Sequence, residues 1–173
     1  HWEVFVPCVL IWTALLWAWE AIAQVASIAP HFIIGMLNFQ GYWFLGVVVC
    51  GIVLKPSDVF WPLRALFYAI PYNAAFKAIS KVFWERSPPY TGAQLCNASD
   101  PTAACPLGFT CPNATSLQGC WGVNGMQILQ TCHVVYDAMD PDASVSLNVT
   151  IIIVIAILAK LLYSRLLLAF CRS

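Results

Sequence analysis

FIIGMLNFQGYWFLGVVVCGIVLKPSDVFWPLRALFYAIPYNAAFKAISKVFWE, residues 32–85, is the stretch whose reading decides the fold. Phe32 to Leu54 carries no charge and, at about 1.5 Å per residue, is long enough as a helix to cross about 30 Å of hydrocarbon. Lys55-Pro56-Ser57-Asp58 is a polar break that ends this span. Val59 to Glu85 is apolar again, but Pro71 divides it into two helices, each under about 15 residues and too short to span. In the second, Tyr72, Phe76, Ile79 and Phe83 fall on one helical face, while Lys77, Lys81 and Glu85 follow at i, i+4 on another. Such a pair beside a membrane exit reads as re-entrant or interfacial, with Trp61, Tyr68, Tyr72 and Trp84 as headgroup-level anchors. A plain surface helix pair is the alternative.

On either side lie two further spans, Val4 to Ala29 and Leu147 to Phe170. Only Glu20 is charged in the former, and Lys160 and Arg165 sit near one end of the latter. Ser27-Ile28-Ala29-Pro30-His31 joins the first two spans, which makes them antiparallel neighbours and places Pro30 in the first turn of the second helix. Composition agrees: 61% of the 173 residues are hydrophobic and 9% charged, more apolar surface than one core of this size can hide from water. Net charge is zero and no Lys/Arg cluster occurs, so nucleic acid is excluded as a partner and membrane lipid is expected. The chain opens on His1 and runs into apolar sequence at Val4 without the charged region and cleavage site of a signal peptide, so it is expected to be part of a longer protein.

Ser87 to Ser146 differs in composition. It is rich in Pro, Gly, Asn and Asp and holds Cys96, Cys105, Cys111, Cys120 and Cys132, five of the eight cysteines. They lack the C-x-x-C pairs of a zinc site, so disulfides in an oxidising compartment are the better reading. The glycosylation sequons at Asn97 and Asn113 lie in the same loop and point outward with it. A third, at Asn148, opens the last span and is too near the membrane to be modified. With the loop outside, the spans run inward, outward and inward, leaving Lys160, Arg165 and Arg172 at the cytoplasmic end as the positive-inside rule asks. Lys55, Arg64, Lys77, Lys81 and Arg86 then stand outside, against that rule, but translocated regions follow charge poorly.

This order of parts resembles the C-terminal half of the membrane domain of G-subfamily ABC transporters of the ABC-2 type, and the match covers nearly the whole chain. Cys50-Gly51-Ile52-Val53-Leu54 stands where that family has Phe-Ser-Gly and two bulky aliphatics. Trp61-Pro62-Leu63-Arg64 and Phe67-Tyr68-Ala69-Ile70-Pro71-Tyr72-Asn73-Ala74-Ala75-Phe76 resemble its tryptophan, aromatic, Ser-Pro, Tyr segment, and the spacing from Gly51 to Pro71 needs no gap. Gly125 with Ile128-Leu129, and Leu161-Leu162-Tyr163, match the family's ending more loosely.

The resemblance implies an all-α membrane protein with three transmembrane helices, a short re-entrant helix pair and a disulfide-rich extracellular loop. Residues 1–86 would hold two spans, the family's fourth and fifth, and the re-entrant pair; residues 87–146 the loop; residues 147–173 the sixth span and a cytoplasmic C-terminus. It implies an ATP-driven exporter of lipid, sterol or xenobiotic, working by alternating access in the plasma membrane with a second half-transporter as homo- or heterodimer. ATP and Mg would bind a nucleotide-binding domain upstream in the same chain. This sequence has no G-x-x-x-x-G-K-[ST] loop, so it is expected to be no enzyme by itself and to hold no cofactor. One of the five loop cysteines would be left over from two intrachain bridges, and in the family such a cysteine sometimes links the protomers.

By the same resemblance Ile52 and Val53 are the apolar plug that closes a central cavity, a role that suits side chains able to exclude water and then part. Counting back from Val53 by helical turns gives Val49, Gly46, Tyr42 and Asn38, with Gln40, Phe44 and Val47 on a broad adjacent face. Asn38, Gln40, Phe44 and Val47 are the candidate substrate contacts, offering stacking and a few orienting polar groups. Helix packing is the plainer reading for each, and Gly46 with Cys50 forms a small-xxx-small pair. Glu20 is costly in a span and is expected to face protein, with Gln24 one turn on, in a coupling network completed by a basic residue outside this chain. Simple solvation at the interface is the alternative. Cys8, Cys50 and Cys171 read as small apolar residues, and His1, His31 and His133 are too scattered for a metal site. A different class, a membrane organiser or adhesion protein with a disulfide-rich large loop, would need a Cys-Cys-Gly motif that is absent; a channel would need a selectivity filter, which is not seen.

Overall fold

The computed structural model describes residues 2–86 and 125–170, and among these every regular element is helical. They are α1 (Trp2–Ala26), α2 (Phe32–Val48), α3 (Ala65–Ala69), α4 (Pro71–Glu85), α5 (Gly125–His133) and α6 (Val145–Phe170), with a 3-10 turn at Pro56–Asp58. Only α1 and α6 are long and apolar enough to cross a membrane on length and composition, and α2 is a shorter apolar helix. Both long helices keep much apolar surface outward, among it Leu10 and Leu16 on α1 and Leu158, Leu161 and Leu162 on α6. Exposure on that scale is rare where water is the only solvent.

Local chemistry explains the lengths. Ile151 to Ile155 is a β-branched run that favours a strand in water, yet it lies inside α6, where a helix satisfies every backbone group within its own segment. Hydroxyls in the apolar helices bond back to their own turn: Thr13 Oγ1 to the Val9 carbonyl at 2.8 Å, Thr150 Oγ1 to Ser146 at 2.8 Å and Ser164 Oγ to Lys160 at 2.9 Å. Pro7 lies inside α1 and has no N–H to give to the carbonyl of Glu3. That carbonyl accepts instead from Arg86 Nη1 at 2.8 Å, which ties the residue that follows α4 to the start of α1.

Two boundaries differ from the sequence reading. Pro30 precedes α2 rather than entering it, because His31 is extended as the N-cap and the helix starts at Phe32. At the other end α2 stops at Val48, short of Leu54. Gly51 is left-handed there with φ 86°, and its carbonyl accepts the Ala138 N–H at 3.1 Å, so the chain turns off the helix axis to meet the 137–138 segment. In α4 the aromatic face is divided: Tyr72 is buried with Ala75, Ala78 and Val82, Phe76 and Ile79 are half-buried and Phe83 is exposed. The break at Pro71 is as the sequence predicts, with the proline at the first position of α4.

Packing follows from small residues. Ala18 and Ala21 of α1, Ala75 and Ala78 of α4 and Ala156 of α6 are almost fully buried, letting the three helices approach closely, while Leu15, Phe67, Ile70 and Ile152 fill the space around them. α5 packs on α4, with Leu129 and Cys132 buried. Lys77 and Lys81 face protein as well: Lys77 Nζ lies 2.9 Å from Asp137 Oδ2 and 3.9 Å from Asp140 Oδ2, and Lys81 Nζ donates to the Pro141 carbonyl at 2.6 Å.

Candidate functional site

α2 is the helix expected to line a path, and its two faces are unlike. Tyr42 and Phe39 meet the Trp19 ring at centroid distances of 5.8 and 6.1 Å, and Gly46 and Val49 are buried on the same side. The turn-by-turn series from Val49 to Tyr42 is therefore a packing face against α1 and α4 and does not look into a cavity. Gln40, Phe44 and Val47 point the other way and are exposed. Asn38 is exposed too, but it follows the packed face and is separated from those three around the helix.

Ile52 and Val53 are not helical. They lie in the turn after α2, 39% and 63% exposed, so the helix does not carry them in register with Val49. Their reach toward any partner is set by the Gly51 turn and its bond to Ala138.

Glu20 has a basic partner inside this chain, where the sequence reading looked for one outside it. Lys160 Nζ of α6 stands 3.5 Å from Glu20 Oε1, and Gln24 Nε2 donates to the same oxygen at 2.9 Å. Lys160 also lies 5.8 Å from the centre of the Trp17 ring, a cation–π distance. Glu20 is exposed rather than enclosed. The group is a charge-paired patch across α1 and α6; the sequence marks Glu20 as a charge in an apolar run but does not name Lys160 as its partner.

Cys132 is 4% exposed and is a free thiol, and burial pushes its pKa up. Cys96, Cys105, Cys111, Cys120, Asn97 and Asn113 lie outside the described residues. Asn148 is buried in α6 with Nδ2 donating to the Ser144 carbonyl at 2.9 Å. Among the described residues no three His, Cys, Asp or Glu side chains converge as metal ligands. No family model matches this chain, and neither a curated protein nor a solved structure does.

Proposed function

We propose that this chain is the C-terminal half of the membrane domain of a G-subfamily ABC transporter and helps move lipid, sterol or amphipathic xenobiotic across the plasma membrane. The observation that carries the reading is the proline-broken pair α3–α4, with α4 wedged between α1 and α6 just before residues 87–124, the place that order of parts assigns to a re-entrant pair. The third crossing rests on direction. The C-terminal part of α4 holds the start of α1 through Arg86 and Glu3 and the approach to α6 through Lys81 and Pro141, and Glu20 meets Lys160 further along both helices, so α1 and α6 run the same way and the chain between them has to return. α2 is the apolar element that runs back. Its 17 residues reach about 25 Å, with the turn after it adding the remainder.

In this reading α2 presents Gln40, Phe44 and Val47 to a second protomer across a shared cavity, with Asn38 at its edge and Ile52 and Val53 closing it outward. Glu20, Gln24 and Lys160 hold α1 to α6 so that the two move as one body when the nucleotide-binding domain drives closure. ATP and Mg belong, in this reading, to the nucleotide-binding domain upstream in the same chain. Alternating access then needs substrate to bind the inward-facing state more tightly than the outward-facing one.

Reconstitution of the full-length protein tests this. ATP-dependent uptake of a lipid or amphipathic dye into proteoliposomes is expected, with substrate-stimulated ATP turnover. Glu20→Ala should lower that stimulation while leaving surface expression unchanged. No ATP-dependent uptake, or turnover indifferent to Glu20→Ala, would overturn the reading.

A further inference from the structure

At the end of the bundle where α2 and α4 meet the 133–137 segment, a cleft of about 290 Å³ is lined by Lys55, Arg64, Asn73, Lys77, His133 and Asp137 among others. Three cations face one carboxylate. Asp137 is committed to Lys77 at 2.9 Å, an ion pair that still leaves Oδ2 without an aligned hydrogen bond. Lys55 Nζ donates to the Val134 carbonyl and keeps two further N–H groups. Arg64 is exposed, and its guanidinium has no hydrogen-bond or ionic partner among the described residues. The cleft thus carries uncompensated positive charge, with Arg64 as its open fork.

A second observation is independent of that charge. Asn73 is only 6% exposed, yet its Oδ1 has no hydrogen-bond partner among the described residues and its side chain lines the same cleft. A buried acceptor left unpaired is costly, and the cleft is where a donor could reach it. Phe60, Trp61 and Leu63, next to Arg64 in sequence, are exposed and apolar, the surface expected beside a headgroup.

We propose that this cleft binds a phosphoglycerol-type group: a phosphate oxyanion held by Arg64 and Lys55, with a nearby hydroxyl donating to Asn73 Oδ1. Charge alone would accept any anion, and the orphaned amide oxygen asks for one that carries its own donor. A lipid headgroup and a soluble polyol phosphate share this chemistry. The proposal is independent of the exporter reading, since it needs only the cleft.

The test is native mass spectrometry of the detergent-purified full-length protein, titrated separately with dioctanoyl phosphatidylglycerol, dioctanoyl phosphatidylcholine and glycerol 3-phosphate. Phosphatidylcholine has the phosphate but no donor. Phosphatidylglycerol is expected to bind at least about tenfold more tightly than phosphatidylcholine, and Arg64→Gln to weaken it about tenfold or more, the scale of a charged hydrogen bond. Lys55→Gln should act the same way, with unchanged melting temperatures showing that both variants fold. Binding of glycerol 3-phosphate that depends on Arg64, without preference for phosphatidylglycerol, supports the site with a soluble ligand. Absence of both preferences, or binding indifferent to Arg64→Gln and Lys55→Gln, overturns it.

Discussion

Gly46 shows how much one residue decides in this bundle. A Cβ there would stand 2.8 Å from Tyr72 Cδ2, 3.1 Å from Ile70 Cγ2 and 3.2 Å from Trp19 Cη2, so α1, α2 and α4 all converge on the missing side chain. Two of these neighbours are ring atoms that yield only by moving whole rings, and Trp19 is itself buried with its indole N–H unpaired among the described residues. Gly46→Ala is therefore expected to destabilise the folded chain by about 1–3 kcal/mol, the usual cost of overpacking. A lower melting temperature of the detergent-solubilised protein would register it, and an unchanged or raised one would contradict the contact. Gly46 was legible as a small residue in a small-xxx-small pair with Cys50, but not as the meeting point of three elements, because Trp19 and Tyr72 are distant in sequence.

Between elements, polar pairs at the two ends of the bundle set how the helices lie. Glu20 with Lys160 joins α1 to α6, and Arg86 with the Glu3 carbonyl joins α4 to α1. The first pair is ionic, so its sign should be exchangeable. Glu20→Lys and Lys160→Glu should each lower thermal stability or transport by placing like charges together, and the double exchange should recover most of the loss. Additive losses in the double variant would show that the two residues do not interact. The spacing of polar residues along single helices marks neighbours one turn apart, such as Glu20 and Gln24. It is silent on pairs between helices, and so from sequence Lys160 reads only as part of an anchoring end.

At the scale of the whole molecule, the shared direction of α1 and α6 makes a prediction about sidedness. The 27–31 turn and the end of α6 should be accessible from one side of the membrane, and residues 87–124 from the other. Single cysteines placed at Ser27 and Ser173 should then label together with an impermeant maleimide in one membrane orientation, and a tag inserted near Gly92 in the opposite one. Labelling of the Ser27 and Ser173 positions from opposite sides would break the parallel arrangement and with it the proposed three-crossing topology.

Sequence alone determined the helical class, the approximate extent of α1 and α6, and the break at Pro71, since hydrophobic run length and a missing backbone N–H act locally. It also marked Glu20 as exceptional, because a charge in an apolar run is costly whatever surrounds it. Tertiary structure decided what each face meets. It ended α2 at Val48 through the Gly51–Ala138 bond, buried Ala75 and Ala78 with Tyr72 while leaving Phe83 outside, and turned Tyr42 and Gly46 inward while leaving Phe44 outside. An apolar helix in a bundle of apolar helices has little amphipathic pattern to reveal its packed side. Side-chain size and contacts from distant elements choose that side, and neither is written in the run of hydrophobic residues.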